Sequence, residues 1–434
     1  MSAREKIIAL VKEHYLEEFP EEEFIPGKSS IPVSGRTFDH KDIETLIDSS
    51  LDFWLTEGRY TDLFEKKFSE FLNVKKTVPV NSGSSANLLA FSSLTSPKLK
   101  DRAIKKGDEV ITVATGFPTT INPIIQNGCI PVYIDCELDT YNINVENLSD
   151  ALSEKTKAVM IAHTLGNPFD VDKISQFCKD NDLFLIEDSC DALGSKYKNQ
   201  YTGTFGDMGT FSYYPAHHIT MGEGGSVVTN NPVLNKILES FRDWGRDCWC
   251  APGESDTCNR RYDWQLGNLP YAYDHKYIYS HIGYNLKLTD LQASIGVSQL
   301  DKVDSFIHKR KVNWERLHSG LSNLEEFFIL PQKQKNSDPS WFGFALTVKQ
   351  SAPFSRPELI NHLDDKKINS RFLFGGNILW QPAYLNSEHR EVGSLSNSDT
   401  VALGTFWLGV FPGLTNGMID FVIETIQDFV TSKK

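Results

Sequence analysis

Residues 211–225, Phe-Ser-Tyr-Tyr-Pro-Ala-His-His-Ile-Thr-Met-Gly-Glu-Gly-Gly, gather three kinds of chemistry in one stretch. Ser212 offers a hydroxyl that can bind phosphate. His217 and His218 form an imidazole pair able to move protons near neutral pH. Gly222-Glu223-Gly224-Gly225 lets the backbone turn sharply. A second constellation is Cys190, Cys248, Cys250 and Cys258, spaced C-x57-C-x-C-x7-C. Four thiolates suit a [2Fe–2S] cluster or a zinc site, although this spacing is neither the ferredoxin nor the zinc-finger pattern. A third is Glu187-Asp188, two acids closing an apolar run. An aspartate there is either a helix N-cap or a site residue. A fourth is the turn Asn81-Ser82-Gly83-Ser84-Ser85-Ala86-Asn87 ahead of an apolar helix. Unpaired N–H groups at such a start can hold a phosphate, although a plain capped helix reads the same way.

Elements that could position these residues alternate along the chain. Residues 41–73 read as two helices with a turn at 54–61; in the second, Leu63, Phe64, Phe68, Phe71 and Leu72 form an apolar side. Strands are expected at 76–80, 107–114, 130–135, 157–163, 183–189, 208–214 and 225–230, with helices at 119–128 and 171–182. Short β-rich runs bounded by helices imply βαβ units and a mostly parallel sheet, which binds ligands at the carboxyl ends of its strands. Gly83–Ser85, Phe117, His163 and Asp188 all fall at those ends. Residues 244–282 have no clear period, are rich in Trp, Tyr, Arg and Asp, and carry three cysteines. A loop of that length inside a compact domain is usually functional. Residues 288–321 read as one or two long helices with Leu291, Ile295, Leu300 and Val303 facing inward. The expected organisation is an α/β protein: an N-terminal helical segment (1–60) contributing to the small domain, a large cofactor-binding domain (61–305), and a smaller α+β domain (306–434).

Composition narrows the class. A hydrophobic share of 40% and a charged share of 23% are ordinary for a globular protein. The formal charge of −13 argues against non-specific nucleic-acid binding. No apolar run approaches the ~20 residues of a membrane span. Residues 1–19 lack a signal peptide's apolar core and read as an amphipathic helix with Ile7, Ile8, Val11 and Tyr15 on one side, so a cytoplasmic protein is expected. Cys129, Cys136 and Cys178 sit in apolar contexts that suggest buried packing.

Several motifs in order resemble the pyridoxal-phosphate-dependent aminotransferases of fold type I, in particular the branch acting on nucleotide-linked 4-keto sugars. They are residues 64–71, 81–90, 107–123, the strand-end Asp188, 284–300 and 406–414, so the resemblance runs from about Leu51 to Leu414. It implies that Asp188 pairs with the cofactor's pyridine nitrogen and that Phe117 stacks on the ring. Gly83, Ser84 and Ser212 would hold the phosphate, joined by Asn285 from the partner subunit of a homodimer. Where those enzymes carry an imine-forming lysine, this chain has His217. Imidazole cannot form that imine, so the resemblance shifts to the sugar 3-dehydratases, with pyridoxamine 5′-phosphate as the non-covalent working form and His217 as the catalytic base. His218 has no matching role and reads as structural or supporting.

The cysteine pattern, with residues 214–225, is similar to the iron–sulfur members of that group, which deoxygenate CDP-linked 4-keto-6-deoxyhexoses at C3 for 3,6-dideoxyhexoses of the lipopolysaccharide O-antigen type. That likeness implies a [2Fe–2S] cluster on Cys190, Cys248, Cys250 and Cys258. It also implies a separate NAD(P)H-dependent flavin and iron–sulfur reductase as electron donor, and supporting roles for Asp191 and Tyr214. A GDP- or TDP-linked substrate with the same histidine base is the alternative. One departure stands out. In Gly376-Asn377-Ile378-Leu379-Trp380-Gln381-Pro382, Trp380 occupies a position that is basic in the close family and suited to a nucleotide diphosphate.

Overall fold

The computed structural model describes residues 1–20, 22–250 and 253–434. The N-terminal part forms α1 (Ala3–Glu18), α2 (His40–Asp52) and α3 (Arg59–Leu72). β1 (Lys76–Val80) leads into α4 (Gly83–Ser93), β2 (Glu109–Val113) into α5 (Pro118–Gln126), and β3 (Ile130–Ile134) and β4 (Thr156–Ala162) precede α6 (Val171–Asp180). Then come β5 (Phe184–Asp188), β6 (Met208–Ser212), β7 (Gly225–Thr229) and α7 (Pro232–Arg242). Beyond the cysteine-bearing loop lie α8 (Asp290–Leu300) and α9 (Val303–Leu321). The C-terminal part holds β8 (Phe328–Ile329), β9 (Gly343–Val348), α10 (Arg356–Asp365), β10 (Arg371–Phe372), β11 (Arg390–Glu391), α11 (Ser396–Gly404), β12 (Thr405–Gly409) and α12 (Asn416–Lys433).

The large sheet runs β1-β7-β6-β5-β4-β2-β3-β11. Every described pairing in it is parallel except the two made by β7. Its central strands are largely apolar and buried because both faces are covered. Along β2, Val110 enters the core under α4 and α7, while Ile111 and Val113 enter the core on the opposite face. The second face continues into the smaller domain through Phe342, Ala345, Leu373 and Trp407, so the two domains share packed surface. The smaller antiparallel sheet runs β8-β9-β12-β10, covered by α9 and α12.

The α/β class and the large sheet agree with the sequence expectation. Cys129, Cys136 and Cys178 are buried, as expected. Some facing residues differ. In α8 the fully buried side is Ala293, Gly296 and Val297, with Leu291 and Ile295 only half-buried, because small residues let α2 and α3 approach closely. In α3, Leu63 is exposed and Tyr60 takes its place in the core. Near the N-terminus, Ile31 bridges to Ile368 of the smaller domain, whereas α2 packs on α8. No helix among the described residues is long and apolar enough to cross a membrane.

Candidate active site

A cavity of about 660 Å³ opens at the carboxyl ends of the parallel strands, between the large sheet and the smaller domain. Strand ends supply Gly83, Phe117, Asp188 and Ser212, and the β6–β7 connection supplies Tyr214 and His217. Sequence reasoning placed these residues together, and the structure does bring them together.

Asp188 is buried and its carboxylate is held from three sides. Oδ2 accepts from Asn87 Nδ2 at 2.8 Å and Thr120 Oγ1 at 2.7 Å, and Oδ1 accepts from Cys190 N at 3.1 Å. Thr210 Oγ1 donates to Asn87 Oδ1 at 2.7 Å, so the neighbouring strand fixes the amide that fixes the acid. Hydrogen bonds to an ionised group are worth roughly 1.5–3 kcal/mol each. Asn87 and Thr120 escaped the sequence reading. The signal was available, since each lies within the first five residues of a helix that starts near a strand end.

The α4 start meets Ser212. Ser82 caps the helix, with Ser85 N donating to its Oγ at 3.0 Å. A Cβ on Gly83 would overlap Ser212 Cβ and lie 3.1 Å from Cys190 Sγ, so a side chain there would fill the cradle. The first N–H groups of the helix have no intrahelical acceptor and carry its positive end. Phe117 heads α5 and is 46% exposed, an aromatic face left open above the cavity. These features fit a phosphorylated pyridine: phosphate at Gly83, Ser84 and Ser212, ring nitrogen at Asp188, ring face at Phe117.

His217 is set by backbone. Its Nδ1 donates to Cys190 O at 2.6 Å, in the turn that follows Asp188. That leaves Nε2 as the basic nitrogen, on a ring that lines the cavity and is 16% exposed. Burial pulls the imidazole down to about 4, so it stays neutral at physiological pH. Phe342 packs on the ring at 5.1 Å. Arg310, 1% exposed, donates to the carbonyls of His217 (3.1 Å) and Trp341 (3.2 Å), tying the histidine segment to the smaller domain. Among the described residues lining the cavity, none is a lysine.

Asp191 lies 3.8 Å from His217 Nδ1 and lines the cavity; burial pushes its carboxyl up to about 8. Tyr214 is exposed at the mouth, edge-on to His217 at 6.5 Å. His218 turns away, with Nε2 donating to Ser340 O at 2.8 Å. His163, also at a strand end, is fully buried; it donates to Glu187 at 3.0 Å and stacks on Phe169, outside the cavity lining. Asn285 is exposed and lies outside the lining of this chain's own cavity. From the smaller domain come Phe342, Arg371, Phe372 and Trp407, which sequence reasoning missed.

Cys190 lines the cavity beside Asp188, with burial raising its thiol well above the ordinary value. On the loop, Cys250 contacts Thr257 Oγ1 at 3.2 Å. Ala251 and Pro252 lie outside the described residues. Among the described residues no three His, Cys, Asp or Glu side chains converge as metal ligands, so the four thiols are not gathered here as a cluster requires.

The chain is 52% identical over 426 residues to the lipopolysaccharide biosynthesis protein RfbH of Salmonella typhimurium, covering 98% of each. It is 51% identical over 428 residues to the dTDP-4-dehydro-2,6-dideoxy-D-glucose 3-dehydratase of Saccharopolyspora spinosa, covering 99% of this chain and 92% of that one. Among solved structures, the E. coli GDP-4-keto-6-deoxy-D-mannose-3-dehydratase with bound hydrated PLP superposes with a TM-score of 0.82 at 28% identity, over 91% of this chain and 98% of that one. Residues 37–427 match the DegT/DnrJ/EryC1/StrS aminotransferase family. With that match over most of its length and its fold type I architecture, the chain belongs to that family.

Proposed function

We propose that this enzyme is a nucleotide-sugar 3-dehydratase, a hydro-lyase that removes the C3 hydroxyl of a nucleotide-linked 4-keto-6-deoxyhexose as water. The observation that carries the reading is His217, an imidazole lining the cavity whose Nδ1 donates to Cys190 O and so leaves Nε2 as its basic nitrogen. Pyridoxamine phosphate, when bound, supplies an amine to condense with the C4 ketone and a ring that takes up an electron pair. Asp188 keeps the ring nitrogen charged, Gly83, Ser84 and Ser212 hold the phosphate, and Phe117 covers the ring. His217 Nε2 removes the proton from the cofactor's C4′ carbon. Asp191, kept protonated by burial, and Tyr214 at the mouth support that transfer. The relatives support the substrate class: two are sugar 3-dehydratases and the third is a lipopolysaccharide biosynthesis protein.

The finer reading has the substrate as CDP-4-dehydro-6-deoxyglucose, in a homodimer whose Asn285 reaches the partner's cofactor. It adds a [2Fe–2S] cluster on Cys190, Cys248, Cys250 and Cys258, fed by a flavin and iron–sulfur reductase, in a pathway to 3,6-dideoxyhexoses. Its support is the four-thiol donor set. Metal and sulfide analysis after anaerobic reconstitution decides it: about two of each per chain are expected, and none would remove the cluster. A TDP-linked substrate is the second reading, favoured by the 51% identity to a dTDP-sugar 3-dehydratase. Dehydration assays on CDP-, TDP- and GDP-linked 4-keto-6-deoxyhexoses separate these readings, and no turnover of any of the three would defeat the function itself.

A further inference from the structure

The charge balance of the cavity singles out one residue. Its described lining carries three carboxyls, Asp188, Asp191 and Glu223, and a single formal cation, Arg371. A sugar nucleotide brings a diphosphate with two negative charges, and the start of α4 is already committed to the cofactor phosphate. Only one guanidinium in the lining can meet the second set of phosphates.

Arg371 is placed for that task. It lies on β10, the edge strand of the smaller sheet, paired with Trp407. Its side chain is exposed and makes one hydrogen bond among the described residues, from Nη1 to Ser370 O at 2.8 Å. It has no ion-pair partner within 4.0 Å there, unlike Arg390, which is locked to Glu109 at 2.8 Å. Arg356 nearby is also committed, over the Phe372 ring at 4.0 Å and donating to Thr405 O. Trp380, at the position where a basic residue was expected, is exposed and outside the cavity lining. A planar guanidinium can grip two phosphate oxygens at once, which an ammonium cannot.

We propose that Arg371 binds the diphosphate of the sugar nucleotide, a role that rests on the nucleotide-sugar reading above. The smaller domain therefore supplies the phosphate anchor while the sheet supplies the chemistry. The proposal explains how a chain with Trp380 retains a cation for the nucleotide.

The test is calorimetric titration of the pyridoxamine-phosphate-loaded protein with CDP, TDP and GDP, and with cytidine, thymidine and guanosine as phosphate-free controls. For the best-bound nucleotide, Arg371→Ala should weaken diphosphate binding roughly 10- to 100-fold, with Arg371→Lys intermediate. The matching nucleoside should bind both proteins alike, and thermal melting should confirm that both are folded. In turnover, KM for the sugar nucleotide should rise more than kcat falls. Equal diphosphate affinity in wild type and Arg371→Ala overturns the inference, as does failure of the wild-type protein to bind any of the three diphosphates. Arg371-dependent binding with no dehydration of any 4-keto sugar upholds the anchor and overturns the proposed reaction, so the two failures are distinguishable.

Discussion

The sheet end of the cavity and the cysteine loop hold their polar atoms in opposite ways. Around Asp188 and His217 every critical orientation is set by a backbone group or by a side chain itself pinned: Cys190 N and O, Asn87 held by Thr210, and Thr120. The loop is tied at its root, where Asp247 accepts from His275 at 2.9 Å and Lys98 at 2.8 Å, and further along by Arg261 on Asp274 at 2.8 Å, ties that reach none of its thiols. Further along, Trp249, Tyr262 and Tyr271 are at least half exposed, and the thiols do not converge among the described residues. A group that moves one proton must be aimed before the substrate arrives. Thiol ligands draw their ordering energy from the metal they bind, so the bare polypeptide need not hold them in place.

This contrast can be broken from either side. The largest effect is expected at the loop: Cys258→Ser should abolish iron binding and reduced product while leaving cofactor C4′ proton release near wild type. Iron analysis and a deuterium-release assay read the two separately, and loss of both together would merge the regions into one functional unit. At the sheet end, Asp188→Asn should slow turnover about a hundredfold, since ~3 kcal/mol of charge pairing is lost. Asn87→Ala removes one of the three supports of Asp188 and should cost about tenfold, measured as kcat/KM. Removing Thr210's hydroxyl acts one step further away and should cost less than Asn87→Ala.

The smallest effect is on pH. With His217 lowered to about 4 from its ordinary 6.5, the base remains neutral as pH falls through 6.5, and proton release should drop only on approach to 4. The sign for stability follows: the unfolded chain takes up the proton first, so this residue's contribution is present above 6.5 and lost as pH falls toward 4. A pH–rate profile bending at 6.5 would mean a solvated imidazole rather than a buried one.

Much of the sheet end was legible in the sequence for a physical reason. Parallel strands buried on both faces announce themselves as apolar runs, and their carboxyl ends then align in space whatever the intervening length. Asp188, Phe117 and Gly83 are found that way, although the same rule also drew in His163, which lies outside the cavity lining; His217 was singled out only through the family resemblance. Phe342, Arg371 and Trp407 were not legible. They reach the cavity through domain packing, on strands whose local pattern says only that they belong to a sheet. Arg310 was hidden as well, since nothing in a long helix tells which arginine will be drawn inside to bind carbonyls.

The most direct test of the central claim is proton release from pyridoxamine phosphate labelled with tritium at C4′, in the presence of a 4-keto sugar nucleotide. His217→Asn should keep the cofactor bound, by its absorbance, and slow tritium release about a thousandfold, within the range of general-base contributions. Release within about threefold of wild type, with cofactor still bound, would contradict His217 as the base.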